Sequence, residues 1–218
     1  MEGEAAMRKV GFVIMGALAT TALTAGLATA KGPHGKSTCT GTLASGKYHR
    51  LVVPAGATCD GTQANIDVRG GVRVGEGATF VLGADPGEGG LTDTGTIRGG
   101  IRATDPASLQ LHFAHVNGGV RMRGGNGFFS TVEDNVIHGG ATIDGYSGFW
   151  LGFIRNSVHG TVKLNNTDMQ DPDANEFVTN TIHGSLICHN DSPAPQVGDS
   201  EGQPNVVTGR KVDQCAGL

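Results

Sequence analysis

Residues 135–143, which read Asn-Val-Ile-His-Gly-Gly-Ala-Thr-Ile, hold the clearest copy of the pattern that decides the fold. In this pattern a Val or Ile stands two places before a glycine, and the 218-residue chain contains it seven times. The pairs are Val68/Gly70, Ile97/Gly99, Val116/Gly118, Ile137/Gly139, Val158/Gly160, Ile182/Gly184 and Val207/Gly209. The glycines are 29, 19, 21, 21, 24 and 25 residues apart. A period of about 20 residues is typical of a solenoid, in which each repeat buries its apolar face against its neighbours.

Apolar residues alternate around each of these glycines, two before it, two after it and four after it. The column at +2 is Val72, Ile101, Val120, Ala141, Val162 and Leu186, and the column at +4 is Val74, Ala103, Met122, Ile143, Leu164 and Cys188. A period of two predicts short strands with one buried face, whereas a helix would lose about 1 kcal/mol at each glycine. A second strand is predicted ten residues after the glycine, with its large side chains in the same interior. These residues are Phe80, Leu109, Phe128 and Phe149.

An asparagine column stands four residues before the glycine, at Asn135, Asn156, Asn180 and Asn205. Asparagine tolerates left-handed backbone geometry, so we expect it at the corners between strands. Stacked on successive turns, its amides can hydrogen-bond along the stack. The sequence therefore predicts an all-β fold, a single-domain right-handed parallel β-helix of about seven coils and roughly 35 Å in length.

The N-terminal 30 residues have the composition of a secretory signal peptide, with an uncleaved membrane anchor as the alternative. Arg8 and Lys9 precede an apolar, uncharged run at 10–23, and Ala28-Thr29-Ala30 resembles a cleavage site. The predicted organisation is a signal peptide at 1–30, an N-terminal cap at 31–60, β-helix coils at 61–190, and an irregular C-terminal cap with the last coil at 191–218. We therefore expect a secreted, extracellular protein that has no contact with a membrane after cleavage.

Four cysteines remain after residue 30, and an even number in an exported chain predicts disulfides. We favour the pairs Cys39–Cys59 and Cys188–Cys215, because their separations are each close to one repeat. Each bond would then close one end of the coil stack. A zinc site is the alternative, although no C-x-x-C pair is present.

The outward positions of the strands carry a basic stripe, although the formal net charge of the chain is −4. That acidic balance argues against a nucleic-acid partner. The predicted binding residues are Arg69, Arg73, Arg98, Arg102, Arg121, Lys163, His138 and His159. Guanidinium groups repeating along a stack suit an acidic polysaccharide or another cell-envelope polyanion. The alternative is that these charges only solvate the sheet and keep it from pairing with other chains. Because capped ends oppose end-to-end assembly, we expect a monomer.

Three other groups of residues were weighed as sites. His138, His159 and His183 would stack outward, where they could bind a metal or only be solvated. The acidic loop at 168–176 could bind calcium, although it lacks the EF-hand spacing, and otherwise no cofactor is expected. The same loop suggests a catalytic alternative with Asp168, Asp171 and His183, because paired carboxylates hydrolyse glycosidic bonds.

The N-x-[VI]-x-G columns, the signal peptide and the terminal cysteine pairs resemble those of small secreted right-handed β-helix proteins of actinobacteria, whose fold is similar to that of pectin lyases. The resemblance covers residues 60–215 and carries no catalytic residue across. The order of N-T-D at 166–168, the split aspartates and His183 is similar to that in polygalacturonases, but G-H-G and R-I-K are incomplete. We therefore expect a secreted non-catalytic structural or binding protein, with a polysaccharide lyase or glycoside hydrolase acting on uronate polymers as the alternative.

Overall fold

The computed structural model describes residues 35–198 and 202–218, so the predicted signal peptide lies outside the described residues. In this part of the chain the regular structure is β-strand, apart from two short 3₁₀ turns at Pro86–Glu88 and Gln214–Gly217. The strands form three sheets whose neighbours pair in parallel. The predicted parallel β-solenoid is therefore confirmed. No helix within the described residues is long and apolar enough to span a membrane.

The three sheets form the three sides of the solenoid. Sheet A contains β1 Lys36–Thr38, β3 Arg50–Val53, β6 Val72–Val74, β9 Ile101–Thr104, β12 Val120–Arg123, β15 Ala141–Asp144, β18 Val162–Asn165, β21 Leu186–His189 and β23 Lys211–Asp213. Sheet B contains β4 Thr58–Gly61, β7 Thr79–Leu82, β10 Ser108–His112, β13 Phe129–Glu133, β16 Trp150–Ile154 and β19 Glu176–Val178. Sheet C contains β2 Gly46–Tyr48, β5 Ile66–Val68, β8 Gly95–Ile97, β11 Ala114–Val116, β14 Val136–Ile137, β17 Ser157–Val158, β20 Thr181–Ile182 and β22 Val206–Val207.

Each turn of the chain passes from sheet C through sheet A to sheet B, as β5, β6 and β7 do in succession. The solenoid has about eight turns, one more than the repeat pattern indicated. The additional turn lies at the N-terminus, where Tyr48 occupies the position that Val68 has in the next turn. Tyr48-His49-Arg50 lacks the pattern glycine, so the first turn was not visible as a repeat. Strands of all three sheets therefore begin within the segment expected to be an N-terminal cap.

The apolar columns of sheet A face the interior, as predicted. Val120 and Met122 on β12 are at most 2% exposed, and Ile143 beside them on β15 is 1% exposed. The prediction for the second strand was right for Phe80 and Leu109, which are buried. Each methylene removed from water in such a column contributes about 0.8 kcal/mol, so the continuous core is the main stabilising term.

The prediction of buried rings was wrong for Phe128 and Phe149. Phe128 is 73% exposed and stacks on Phe149 with ring centroids 4.6 Å apart. The corner before β13 spans residues 124–128, two residues more than the corner at 105–107 before β10. As a result Gln110 pairs with Thr131, which moves β13 two positions further along the sequence than a constant spacing predicts.

The asparagine column forms the predicted ladder inside the corner between sheets B and C. The amide nitrogen of Asn135 donates to Asn156 Oδ1 at 3.0 Å, Asn156 donates to Asn180 at 3.0 Å, and Asn180 donates to Asn205 at 2.8 Å. Each of these four side chains is buried. Each amide also donates to a backbone carbonyl, as Asn156 does to Val132 at 2.8 Å. The ladder therefore satisfies buried polar groups of both the side chains and the main chain.

The left-handed backbone at this corner does not fall on the asparagines, contrary to the prediction. It falls one residue earlier, at Asp134, Arg155 and Thr179, whose φ angles are 56°, 53° and 58°. The chain turns at that residue, and the next side chain then points inward. Asparagine is selected at this position for its buried amide rather than for its backbone preference.

Glycine is required at the corner between sheets C and A because successive coils come too close there for a side chain. A Cβ placed on Gly99 would lie 1.0 Å from the carbonyl oxygen of Gly70, and one placed on Gly139 would lie 2.5 Å from that of Gly118. Both contacts are with backbone atoms, which cannot move without separating the coils. The repeated glycine therefore reflects a steric limit on coil stacking.

Both predicted disulfides are present, Cys39–Cys59 and Cys188–Cys215, and they lie near opposite ends of the stack. Their formation excludes the zinc alternative, because no thiol among the described cysteines is free. Cys59 lies on β4, and Cys215 lies in the 3₁₀ turn Gln214–Gly217. The bonds thus join the terminal segments to coils that have a neighbour on one side only.

We predict that Asn156→Ala lowers the free energy of unfolding by at least about 2 kcal/mol, because it leaves several buried donors and acceptors without partners. Urea unfolding followed by circular dichroism measures this change. Asn117→Ala is the matched control, because Asn117 is exposed, and its effect should be below about 0.5 kcal/mol. Equal effects of the two substitutions would contradict a stabilising role of the ladder.

Candidate functional site

An arginine ladder, defined as Arg73, Arg102 and Arg121, lies on the outer face of sheet A. Arg73 pairs in register with Arg102, and Arg102 with Arg121, on the adjacent strands β6, β9 and β12. All three side chains are exposed. Neighbouring strands are about 4.8 Å apart, so the Cα atoms of the ladder repeat at that interval along the solenoid axis. The same register continues through Thr142 to Lys163.

The guanidinium groups of the ladder are not neutralised by the protein. None of the three forms an ion pair with a carboxylate of the described residues. Arg98, in the neighbouring basic column of sheet C, differs because its Nε and one terminal nitrogen lie 3.1 and 3.2 Å from the two oxygens of Asp67. The hydrogen bond from Arg98 lowers the pKa of the Asp67 carboxyl, so this pair stays charged at neutral pH.

A shallow groove runs beside the ladder, along the corner between sheets C and A. It consists of two adjoining depressions of about 290 and 240 Å³ that share Gly99 and Arg102. Its lining alternates between corner glycines and ladder arginines. These residues include Gly70, Gly71, Arg73, Gly99, Arg102, Gly119, Arg121 and Gly140. Because the corner has no side chains, backbone groups form much of the groove wall.

Two basic columns therefore border the groove, one on sheet A and one on sheet C. The second column begins with Arg69 and Arg98 and continues through Asn117 into the exposed histidines. The histidines stack as predicted, with ring centroids of His138 and His159 4.8 Å apart and those of His159 and His183 5.0 Å apart. The predicted binding residues thus lie along the two sides of one corner.

The residues of the catalytic alternative do not lie at one corner. Asp168 and Asp171 lie between β18 and β19, at the corner between sheets A and B. His183 follows β20 at the corner between sheets C and A, so a strand of sheet A separates it from the two aspartates. The Asp171 carboxylate accepts the backbone N–H of Asp173 at 3.1 Å, which orders the turn of the acidic loop.

A second group of polar side chains, which the sequence analysis missed, lies where sheet B meets the loop at 83–94. This buried polar cluster contains Asp85, His112, Glu133, Asp134 and Arg155. His112 Nδ1 lies 3.9 Å from Asp85 Oδ1 and 3.9 Å from Glu133 Oε2. Arg155 contacts both oxygens of Asp134 at 2.8 Å and Glu133 Oε2 at 3.3 Å. Thr131 donates its hydroxyl to the other oxygen of Glu133.

Burial dominates the electrostatics of this cluster. The side chains of His112 and Glu133 are 3% and 5% exposed, whereas that of Asp85 is 42% exposed and connects the cluster to solvent. Desolvation, together with the hydrogen bond and negative charge of Asp85, raises the pKa of Glu133 from its ordinary value of 4.5 to about 7. Desolvation lowers the pKa of His112, so its imidazole is neutral at pH 7.

The buried polar cluster is the one place within the described residues where three His, Cys, Asp or Glu ligand atoms lie within 4.8 Å of one another. The acidic loop at 168–176, where the sequence suggested calcium, does not form such a group. The position of the long loop between β7 and β8 was predicted from the irregular repeat spacing. Its contact with His112 and Glu133 was not, because those two residues occupy ordinary strand positions.

Comparisons with protein-family models, with curated proteins and with solved structures found no match to this chain.

We predict a specific pH dependence for Glu133→Gln. The native state of the unsubstituted protein keeps a proton on Glu133 that the unfolded state releases between about pH 4.5 and pH 7, so this carboxyl destabilises the fold as the pH rises through that window. Glutamine stays neutral. The free energy of unfolding of the variant minus that of the unsubstituted protein should therefore rise from pH 4.5 to pH 7 and then level off.

Urea titrations in metal-free buffer across that range measure the difference. Glu76→Gln is the control, because Glu76 is exposed at a corner, and its difference should stay constant. A constant or falling difference for Glu133→Gln would contradict a raised pKa in the native state.

Proposed function

We propose that this protein is a secreted, non-catalytic binding protein for acidic polysaccharide, and that the polymer lies along the arginine ladder parallel to the solenoid axis. The observation that carries the proposal is the in-register stack of Arg73, Arg102 and Arg121 without carboxylate partners. Three exposed cations at strand spacing repel one another, so the arrangement is unfavourable for the isolated protein. A polyanion relieves that repulsion and gains from it.

The chemistry of arginine favours carboxylate or phosphate groups over a diffuse negative surface. The guanidinium fork donates two parallel hydrogen bonds to one carboxylate, which fixes direction as well as charge. A row of such forks is complementary to a linear polymer whose acidic groups repeat along its length. The groove between the two basic columns provides space for the polymer backbone next to the forks.

The disulfides support a location outside the cell. Cys39–Cys59 and Cys188–Cys215 are stable in an oxidising compartment, and reducing cytosol would open them. The composition of residues 1–30 supports export through a secretory signal peptide. An extracellular acidic polysaccharide, from a cell envelope or a plant wall, is then accessible to the ladder.

The direct test is binding of a polyuronate to Arg73→Ser/Arg102→Ser/Arg121→Ser by isothermal titration calorimetry at low and high salt. We expect the triple variant to bind at least about tenfold more weakly, because each charge-assisted hydrogen bond contributes about 1.5–3 kcal/mol before solvent screening. Binding by the unsubstituted protein should weaken as the salt concentration rises.

Lys36→Ser/Lys47→Ser/Arg210→Ser is the charge-matched control, because these three side chains are exposed and lie outside the ladder. It should retain most of the affinity. Equal losses in the two triple variants would show that net charge, not the ladder, governs binding. Release of new reducing ends or unsaturated products by the unsubstituted protein would contradict a non-catalytic role.

A gain of affinity is predicted for Asp67→Asn. Asp67 holds the Arg98 guanidinium in a two-point ion pair, so its neutralisation frees Arg98 for the polymer. We expect binding at low salt to tighten about twofold to fivefold, which is the range of a surface ion pair. Asp173→Asn makes the same charge change at another corner and should leave affinity nearly unchanged. A loss of affinity in Asp67→Asn would exclude Arg98 from the binding surface.

A further inference from the structure

We propose that Asp85, His112 and Glu133 form a binding site for one divalent transition-metal ion of the zinc class. The site lies at the corner between sheets B and C, whereas the arginine ladder lies on sheet A. The proposal is therefore independent of polysaccharide binding.

The geometry of the three ligand atoms fits a metal ion. His112 Nδ1 is 3.9 Å from an oxygen of each carboxylate, and the three ligand atoms lie within 4.8 Å of one another. A point equidistant from atoms so arranged lies about 2.1–2.5 Å from each, close to zinc–nitrogen and zinc–oxygen bonds of about 2.0–2.2 Å. Small rotations of the Asp85 side chain, which lies in a loop, can close the remaining gap.

The second observation is the state of His112 Nδ1. This atom is buried and has no hydrogen-bond partner, although it points between two carboxylates. At 3.9 Å neither oxygen is close enough to accept a hydrogen bond from it. An unpartnered polar atom at such a depth costs about 1–3 kcal/mol, and a metal ion at the centre of the three atoms would remove that cost.

The charges of the cluster also favour a dication. Asp85, Glu133 and Asp134 face a single guanidinium, that of Arg155. Arg155 directs its two-point contact to Asp134, with both distances at 2.8 Å, and reaches Asp85 only at 3.8 Å. Two positive charges between Asp85 and Glu133 would balance the carboxylates that Arg155 does not neutralise.

The ligand set selects the class of metal. One imidazole and two carboxylates suit Zn²⁺ and neighbouring first-row ions, whereas Ca²⁺ prefers six to eight oxygen ligands. The Glu133 carboxylate is oriented by the Thr131 hydroxyl on one oxygen and by Arg155 on the other. Such outer contacts are typical of metal sites and hold a ligand in place before the ion arrives.

The position of Asp85 suggests what the metal does. Asp85 precedes the 3₁₀ turn Pro86–Glu88 and makes no side-chain capping bond to it, so its carboxylate is available to the cluster. A metal bound to Asp85, His112 and Glu133 would tie the loop at 83–94 to β10 and β13. The ion would thus stabilise the longest excursion between sheets B and C.

The test uses tag-free protein, described by residues 31–218, stripped of metal with a chelator. Titration with Zn²⁺ by calorimetry should give one site per chain, and thermal unfolding should shift upward with added Zn²⁺. Co²⁺ should give visible d–d absorption bands whose intensity reports the coordination. Asp85→Asn, at a half-exposed loop position that does not endanger folding, should weaken binding at least about tenfold, and His112→Ala should do the same.

Two controls make the result decisive. Glu88→Gln removes a carboxylate from the same loop, and His159→Ala removes the central ring of the exposed histidine stack, which is the competing metal site. Both variants should bind Zn²⁺ as the unsubstituted protein does. Binding that survives in Asp85→Asn, binding that is lost in His159→Ala, or a lack of Zn²⁺ and Co²⁺ binding by the unsubstituted protein would each overturn the proposal.

Discussion

The structure depends on one constraint, the in-register stacking of parallel coils at the spacing of a β-sheet. At about 4.8 Å per turn, any position that recurs in each coil meets its own copies above and below. Close stacking brings the backbones at the corner of sheets C and A so near that only glycine fits, as the contact of Gly99 with Gly70 shows. The same spacing lets the amide of Asn135 reach that of Asn156 and satisfy buried main-chain groups. The repeat pattern is the record of these two requirements.

Stacking also gives the surface its chemistry. A protein with a formal net charge of −4 nevertheless presents a row of three free guanidinium groups, because equivalent outward positions on β6, β9 and β12 are all arginine. In a fold without translational repetition these charges would be scattered and weakly selective. Here they form a linear array with a fixed interval, and the neighbouring glycine corner leaves a groove beside them. Recognition of a polymer with repeating acidic groups follows from this arrangement.

Features that recur in every coil could be predicted from the sequence. The buried columns, the asparagine ladder, the histidine stack and both disulfides were all visible as spacings. Features that depend on corner length could not, since two additional residues before β13 were enough to place Phe128 on the surface. The buried polar cluster could not be predicted either. Asp85 comes from an irregular loop, and His112 and Glu133 occur once each, so no spacing links them before the coils are stacked.

The most direct test of the account is a crystal structure of the protein with a short acidic oligosaccharide. We predict that successive carboxylates lie within hydrogen-bond distance of Arg73, Arg102 and Arg121, with the sugar chain parallel to the solenoid axis and seated in the glycine-lined groove. An oligosaccharide bound across the strands at the acidic loop, or at the exposed Phe128 and Phe149 rings with the arginines unoccupied, would contradict the central claim.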